Sequence, residues 1–179
     1  MVCRLHWGCG PITPYGWVNS DIQAGPGVDV PADILAGLPL EADQFDYVVA
    51  IHALPEIPIR EQDRALRELH RVLRPGGILR LGLPDLDKAI RAYQTKDVDY
   101  FFLIPDEMAK TISGKMITQL LWYSISRCMF TTEFATELLE RSGFRDVQGC
   151  GFRKTNSSFP GIVELDDREC ESFFVEATK

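Results

Sequence analysis

Two glycines, two carboxylates and a histidine in the first third of the chain carry its clearest chemical signal. In LHWGCGPITPYGWVNSD, residues 5–21, an apolar run delivers Gly8-Cys9-Gly10 at its carboxyl end, and a second run ends on Asp21. A Gly-x-Gly turn lets backbone N–H groups approach a ligand closely, because glycine has no Cβ in the way. A phosphate or a carboxylate fits such a turn. Asp21, at the end of the very next strand, falls beside it, where ribose hydroxyls could donate to its carboxylate. A dinucleotide turn would want a third glycine at position 13 and an acid about 20 residues on. The chain has Thr13 there, and its acid comes sooner. Asp33 adds a second carboxylate after another strand-like run, and His52 stands at the far end of FDYVVAI. A lone Gly-x-Gly is also compatible with nothing more than a tight turn, so the other residues decide.

His52 could act as a base or polarise a nucleophile, or be a hydrogen-bonded structural histidine. Glu56 and Asp85 could orient a substrate, although loop carboxylates are common. Tyr93, Tyr100, Phe101, Phe102, Trp122, Tyr123 and Phe130 could line a substrate cap or fill a core. The arginine-rich run 60–74 alternates with Glu61, Asp63 and Glu68, which reads as a solvated helix face rather than a nucleic-acid patch.

A scaffold must bring these groups together, and the pattern of elements supplies one. Residues 2–7, 17–22 and 28–32 read as short strands. From Tyr47 onward, FDYVVAI is apolar without alternation and rich in β-branched types, as expected of a strand buried on both faces of a parallel sheet. EQDRALRELHRVL, residues 61–73, sets Leu66, Leu69 and Leu73 on one helical face and stops at Pro75-Gly76-Gly77. Residues 78–83 are another strand. TTEFATELLERSG offers a second helix with a Thr cap and a glycine stop at Gly143. Two strands, 147–151 and 173–177, follow, so the expected class is α/β. Residues 85–129 are the least patterned, rich in aromatics, and lie after the fifth strand where open α/β sheets bind ligands.

The 179 residues, 45% hydrophobic, suit one compact domain over 1–179, with 86–130 as a candidate substrate-cap insertion. Five cysteines with no C-x-x-C pair speak against a disulfide framework and against a zinc site, so a reducing cytoplasm and no metal are expected. No run approaches the ~18 apolar residues of a membrane span, and no signal-peptide pattern opens the chain. A net charge of −7 disfavours a phosphate backbone and favours small-molecule partners, not nucleic acid. Nothing in the sequence fixes an oligomeric state.

Taken together, LHWGCG, NSDI, PADI, LPLEADQFDYVVAIHAL and LRELHRVLRPGGILRLGLPDL resemble the class I S-adenosylmethionine-dependent methyltransferases, in a methyltransferase type 11-like branch. The resemblance runs from Leu5 to about Leu86 and returns at LLERSGFRDV. It implies a doubly wound, mostly parallel Rossmann-like sheet with flanking helices. Gly8 and Gly10, with Cys9 between them, match the motif whose backbone approaches the methionine part of the cofactor. Asp21 matches the acid that holds the ribose hydroxyls, with Ile22 against the adenine. Asp33 matches the acid that meets the adenine amino group, with Ile34 supplying an adjacent backbone contact. His52 falls near the methyl group, as cofactor contact and candidate catalytic residue.

Three positions depart from the pattern. Ile12 stands where the family usually has a third glycine, and Pro55-Glu56 where many relatives read Glu-His. Between Gly10 and Trp17 a full crossover helix has no room, since a parallel crossover normally needs about 10 to 12 residues or more. The first crossover is therefore expected to be a loop or a single turn. The implied function is methyl transfer to a small-molecule or glycan-like acceptor. A non-catalytic cofactor-binding protein or partner subunit is the alternative, and Thr13 with the early Asp21 disfavours a nicotinamide-dependent oxidoreductase.

Overall fold

The computed structural model describes residues 2–179. Its strands are β1 (Arg4–Trp7), β2 (Val18–Asp21), β3 (Val30–Pro31), β4 (Phe45–Ile51), β5 (Leu73–Pro84), β6 (Arg145–Cys150) and β7 (Ser172–Thr178). They form one sheet in the order β3-β2-β1-β4-β5-β7-β6. The first five are mutually parallel, and β7 runs antiparallel to both β5 and β6. Four helices accompany them: α1 (Gln62–Val72), α2 (Leu86–Thr95), α3 (Ile112–Leu121) and α4 (Thr132–Arg141). No helix among the described residues is long and apolar enough to cross a membrane.

Alternation along the strands builds two cores. On one face Val48 and Ala50 of β4, Leu79, Leu81 and Leu83 of β5, and Val175 and Ala177 of β7 pack against α1 and α4. Helix α1 presents Ala65, Leu66, Leu69 and Val72, and α4 presents Ala135, Leu138 and Leu139. Burying each leucine contributes about 1.5–3 kcal/mol relative to leaving it in water. Thr131 caps α4 by accepting the Phe134 N–H at 3.2 Å, and Gly143 follows the helix at φ +102°, as the sequence pattern requires. Helix α1 ends at Val72, and Leu73 is already extended and paired with Phe45. The expected helix is thus shorter by one residue at each end, since Glu61 belongs to the 3-10 turn Ile59–Glu61 that precedes it.

The other face shows what replaces a crossover helix. Residues 8–17 connect parallel β1 and β2 as a loop, as expected, with the N–H groups of Gly8 and Cys9 both donating to the Ser20 carbonyl. Trp17, Tyr47 and Val49 on this face are instead covered by the long β6–β7 connection, whose short 3-10 turn Pro160–Val163 inserts the fully buried Ile162. Arg80 of β5 fastens that connection. It is fully buried, and its five N–H groups reach both carboxylate oxygens of Asp166, Oε1 of Glu176 and the carbonyls of Gly151 and Lys154. Every donor of the guanidinium is satisfied. Breaking such a buried pair from one side typically costs about 3–5 kcal/mol, because the partner charges stay buried.

Residues 86–129, which the sequence leaves unpatterned, hold α2 and α3. The segment leaves and rejoins the sheet edge at one place, where Asp85 bridges Phe130 and the Leu86 N–H donates to the Phe130 carbonyl at 3.0 Å. It has its own small core of Ala89, Ala92 and Phe101, with Tyr100, Ile112, Met116 and Leu120 packed on it. Phe101 and Phe130 have no exposed surface and are core residues, not cap residues.

Candidate active site

Strand order reverses between neighbouring β1 and β4, since the chain proceeds outward from β1 to β3 and then restarts at β4 on the other side. Open α/β sheets bind ligands outside the carboxyl ends of the strands at such a reversal. Gly8 follows β1 and His52 follows β4, so both stand at this point. A cavity of about 660 Å³ opens there, within the usual range for small-molecule sites. Gly8, Cys9, Gly10, Asp21, Ile22, Asp33, Ile34 and His52 all line it.

The two glycines of the turn have different reasons to be glycine. Gly8 has φ +69°, and a Cβ there would overlap the Cβ of Ala53. Gly10 has φ +50°, and a Cβ there would meet nothing within 4 Å. Gly8 is thus fixed by packing, while Gly10 faces open cleft. Cys9 is buried, and that burial, followed by the nearby Asp21, pushes its thiol pKa up.

The Asp21 carboxylate accepts the Gly10 N–H on Oδ2 at 2.8 Å and the Gln23 N–H on Oδ1 at 3.0 Å. Each carboxylate oxygen has two lone pairs, so one on each remains. Asp33 caps the short 3-10 turn Ile34–Ala36 by accepting the Leu35 N–H on Oδ1 at 2.9 Å, and its Oδ2 has no protein donor among the described residues. Ile34 lines the cavity while remaining buried, whereas Ile22 is 67% exposed.

His52 adopts a left-handed backbone, φ +55°, while its N–H still donates to the Gly82 carbonyl. Its Nε2 lies 2.7 Å from Oγ of Ser172 on β7. Burial, and secondarily Arg168, push its pKa down to about 3, so the ring is neutral at physiological pH. Glu56 also lines the cleft, and burial followed by Asp21 holds its pKa above the ordinary carboxylate range. Asp85 lines it too while capping α2 through the Lys88 N–H at 3.0 Å.

Among the aromatics singled out by sequence, Tyr100 and Trp122 reach the cavity, and Phe102 and Tyr123 are exposed. Gln119, Asp167, Arg168 and Glu171 also line it, and sequence reasoning missed all four. The last three come from the β6–β7 connection, and only the dense charge of DDREC just before a strand hints at them.

The methyltransferase domain family matches residues 19–81. No curated protein matches the chain. Among solved structures, a SAM-dependent methyltransferase of Thermotoga maritima aligns with 100% of this chain and 83% of its own at 19% identity and a TM-score of 0.62. One from Archaeoglobus fulgidus aligns with 99% of this chain and 86% of its own at 14% identity and a TM-score of 0.58. A phosphoethanolamine N-methyltransferase of Haemonchus contortus, in complex with phosphomonomethylethanolamine and S-adenosylhomocysteine, aligns with 100% of this chain and 49% of its own at 14% identity and a TM-score of 0.53. These likenesses show the fold, a Rossmann-like mostly parallel sheet with flanking helices. The match over residues 19–81 spans about a third of the chain, and together with that fold and the glycine turn and acids meeting at the strand-order reversal it makes the chain similar to the class I S-adenosylmethionine-dependent methyltransferases.

Proposed function

We propose that this chain transfers a methyl group from S-adenosylmethionine to a small-molecule or glycan-like acceptor. The observation that carries the reading is the meeting of Gly10, Asp21, Asp33 and His52 on one cavity at the β1/β4 reversal. Asp21 accepts from the ribose hydroxyls with the lone pairs that Gly10 and Gln23 leave free. Asp33 accepts from the adenine amino group through its unspent Oδ2, with the Ile34 backbone beside the ring and Ile22 against it. The backbone of Gly8, Cys9 and Gly10 runs along the methionine portion, and the space beside Gly10 admits it.

The cofactor, when bound, supplies a methyl group already activated on a sulfonium. Holding the acceptor in line and excluding water can therefore supply much of the rate. His52, neutral and oriented by Ser172, holds the acceptor by a hydrogen bond; a group with a pKa of about 3 is a weak proton acceptor at neutral pH. Residues 86–130 cap the acceptor, with Tyr100 and Trp122 over the cleft. The chain works as one domain over 1–179, and its five free thiols support a reducing, cytoplasmic setting.

Calorimetric titration with S-adenosylhomocysteine, followed by turnover on an acceptor panel, tests this. Saturable binding with formation of methylated product is expected. No stabilisation or binding at millimolar ligand would overturn the reading, and binding without turnover on any acceptor would leave a cofactor-binding partner subunit.

A further inference from the structure

We propose that the acceptor end of this cleft takes an amine, which the protein methylates on nitrogen. The inference rests on the methyltransferase reading and adds the acceptor class to it. Its starting point is Glu171, just before β7. This carboxylate lines the cavity, yet the residue is only 7% exposed and no described residue donates a hydrogen bond to it. Its nearest cation is Nη1 of Arg168 at 3.8 Å, beyond hydrogen-bond length. Its oxygens keep a narrow contact with solvent through the cleft, so both can accept from a bound donor.

Three more cavity-lining groups are unspent. Oη of Tyr100, Oε1 of Gln119 and Oδ1 of Asp167 are buried without a hydrogen-bond partner. The unpartnered oxygens of Gln119, Asp167 and Glu171 accept, the Tyr100 hydroxyl can donate or accept, and the Gln119 amide can also donate through Nε2. An amine or ammonium brings two or three N–H donors and matches this inventory. A hydroxyl brings one, and a carboxylate or phosphate brings none. Charge agrees with the count, since Asp85 and Glu171, the acids that act on Tyr100, and Asp167 line the cavity against Arg127 and Arg168. The Tyr100 hydroxyl feels two of those acids: burial first, then Asp85 and Glu171, push its pKa up. The aromatic wall also takes cations, as the Arg168 guanidinium lies 5.3 Å over the Trp122 ring.

The step balances without a further reagent. A bound ammonium releases one proton to water through the open cleft, and the nitrogen lone pair attacks the methyl carbon of S-adenosylmethionine. The N–C bond forms as the C–S bond breaks, and the bonding pair stays on sulfur, which becomes a neutral thioether. Positive charge thus arrives on nitrogen, and the methylated ammonium sheds a proton to water. Carboxylates at the nitrogen end stabilise charge where it develops, which lowers the barrier rather than only strengthening binding.

The test uses protein saturated with S-adenosylhomocysteine and two families of probes: 2-phenylethylamine, 2-phenylethanol and phenylacetate, and butylamine, butanol and butyrate. On at least one skeleton the amine should bind at least about tenfold more tightly than the alcohol, with the carboxylate weakest, as hydrogen bonds to charged groups allow. Glu171→Gln should weaken the amine by roughly 10- to 150-fold while leaving the alcohol and S-adenosylhomocysteine unchanged. Should that variant not fold by circular dichroism, the wild-type ranking of head groups still decides. Amines binding no better than alcohols on both skeletons would overturn the inference and leave the methyltransferase reading standing. Failure to bind S-adenosylhomocysteine would remove both.

Discussion

The backbone N–H of Gly10 donates to Oδ2 of Asp21 at 2.8 Å, which makes the turn after β1 and the acid at the end of β2 a single unit. Whatever moves one moves the other.

Asp21→Ala should therefore do two things. Losing charge-assisted hydrogen bonds to the ribose, worth about 1.5–3 kcal/mol, should weaken S-adenosylhomocysteine roughly 10- to 150-fold. Freeing the Gly10 and Gln23 N–H groups should also lower stability by about 1 kcal/mol, more than a surface carboxylate would cost. Asp21→Asn keeps an acceptor and should lose less of both. Calorimetric titration and urea unfolding of the three proteins measure the two effects separately.

The glycines separate in the opposite sense. Gly8→Ala forces a methyl into Ala53 at a left-handed backbone and should cost about 2 kcal/mol or more of stability. Gly10→Ala meets no atom, so only backbone strain of about 1–2 kcal/mol remains, but its methyl intrudes on the cleft. Thermal melts should rank Gly8→Ala as the less stable variant, whereas S-adenosylhomocysteine titration should rank Gly10→Ala as the weaker binder.

Aromatic truncations should divide by position. Phe101→Ala empties the small core of the 86–129 segment and should cost about 3–5 kcal/mol. Trp122→Ala at the cavity wall should lower turnover and leave cofactor affinity nearly intact, and the exposed Tyr123→Ala should change stability by about 0.5 kcal/mol or less. Melting temperature and steady-state turnover of the three variants check the division.

Acid should destabilise the fold through its histidines. All three have pKa values held down chiefly by burial, His52 to about 3 and His6 to about 4. As pH falls through 6.5, the unfolded chain takes up protons that the native state refuses. Stability is thus full at neutral pH and declines from about pH 6.5 to about pH 4 for His6 and on to about pH 3 for His52. His6 alone, whose ring is packed against Trp17, should account for about 2 kcal/mol between pH 7 and pH 5. Urea unfolding at both pH values should show a smaller difference for His6→Gln than for wild type, and equal differences would refute the assignment.

The sequence exposed those parts of the molecule whose signals are local. Strand β4 declares itself by an unbroken apolar run, α1 and α4 by full apolar stripes, and the glycine turn with Asp21 and Asp33 by short spacings. Helices α2 and α3 lack such marks. The buried face of α2 is made of small Ala89 and Ala92, and its C-cap is left-handed Lys96 rather than glycine. Helix α3 contains Gly114, buries little beyond Lys115, and ends on left-handed Trp122. Their caps, Asp85 and Thr111, were visible but indistinguishable from loop polars. The wall of the cleft built from the β6–β7 connection was hidden for a different reason. Glu171, Asp167 and Arg168 reach the cleft because Arg80 holds Asp166 across 86 positions of sequence, a pairing with no local trace.

That long reach has a consequence for how the chain attains its structure. The segment that seals Trp17 and Tyr47 is residues 160–163, and the strand that joins β5 to β6 is β7, both far downstream of the strands they complete. Contacts at such sequence separation slow folding, because loop-closure entropy is lost before they form. During synthesis the first five strands must wait, with one face bare and an open edge on β5, until residue 178 has left the ribosome. Chaperone dependence of the nascent chain, and intolerance of deletions within 160–178, follow from the same geometry.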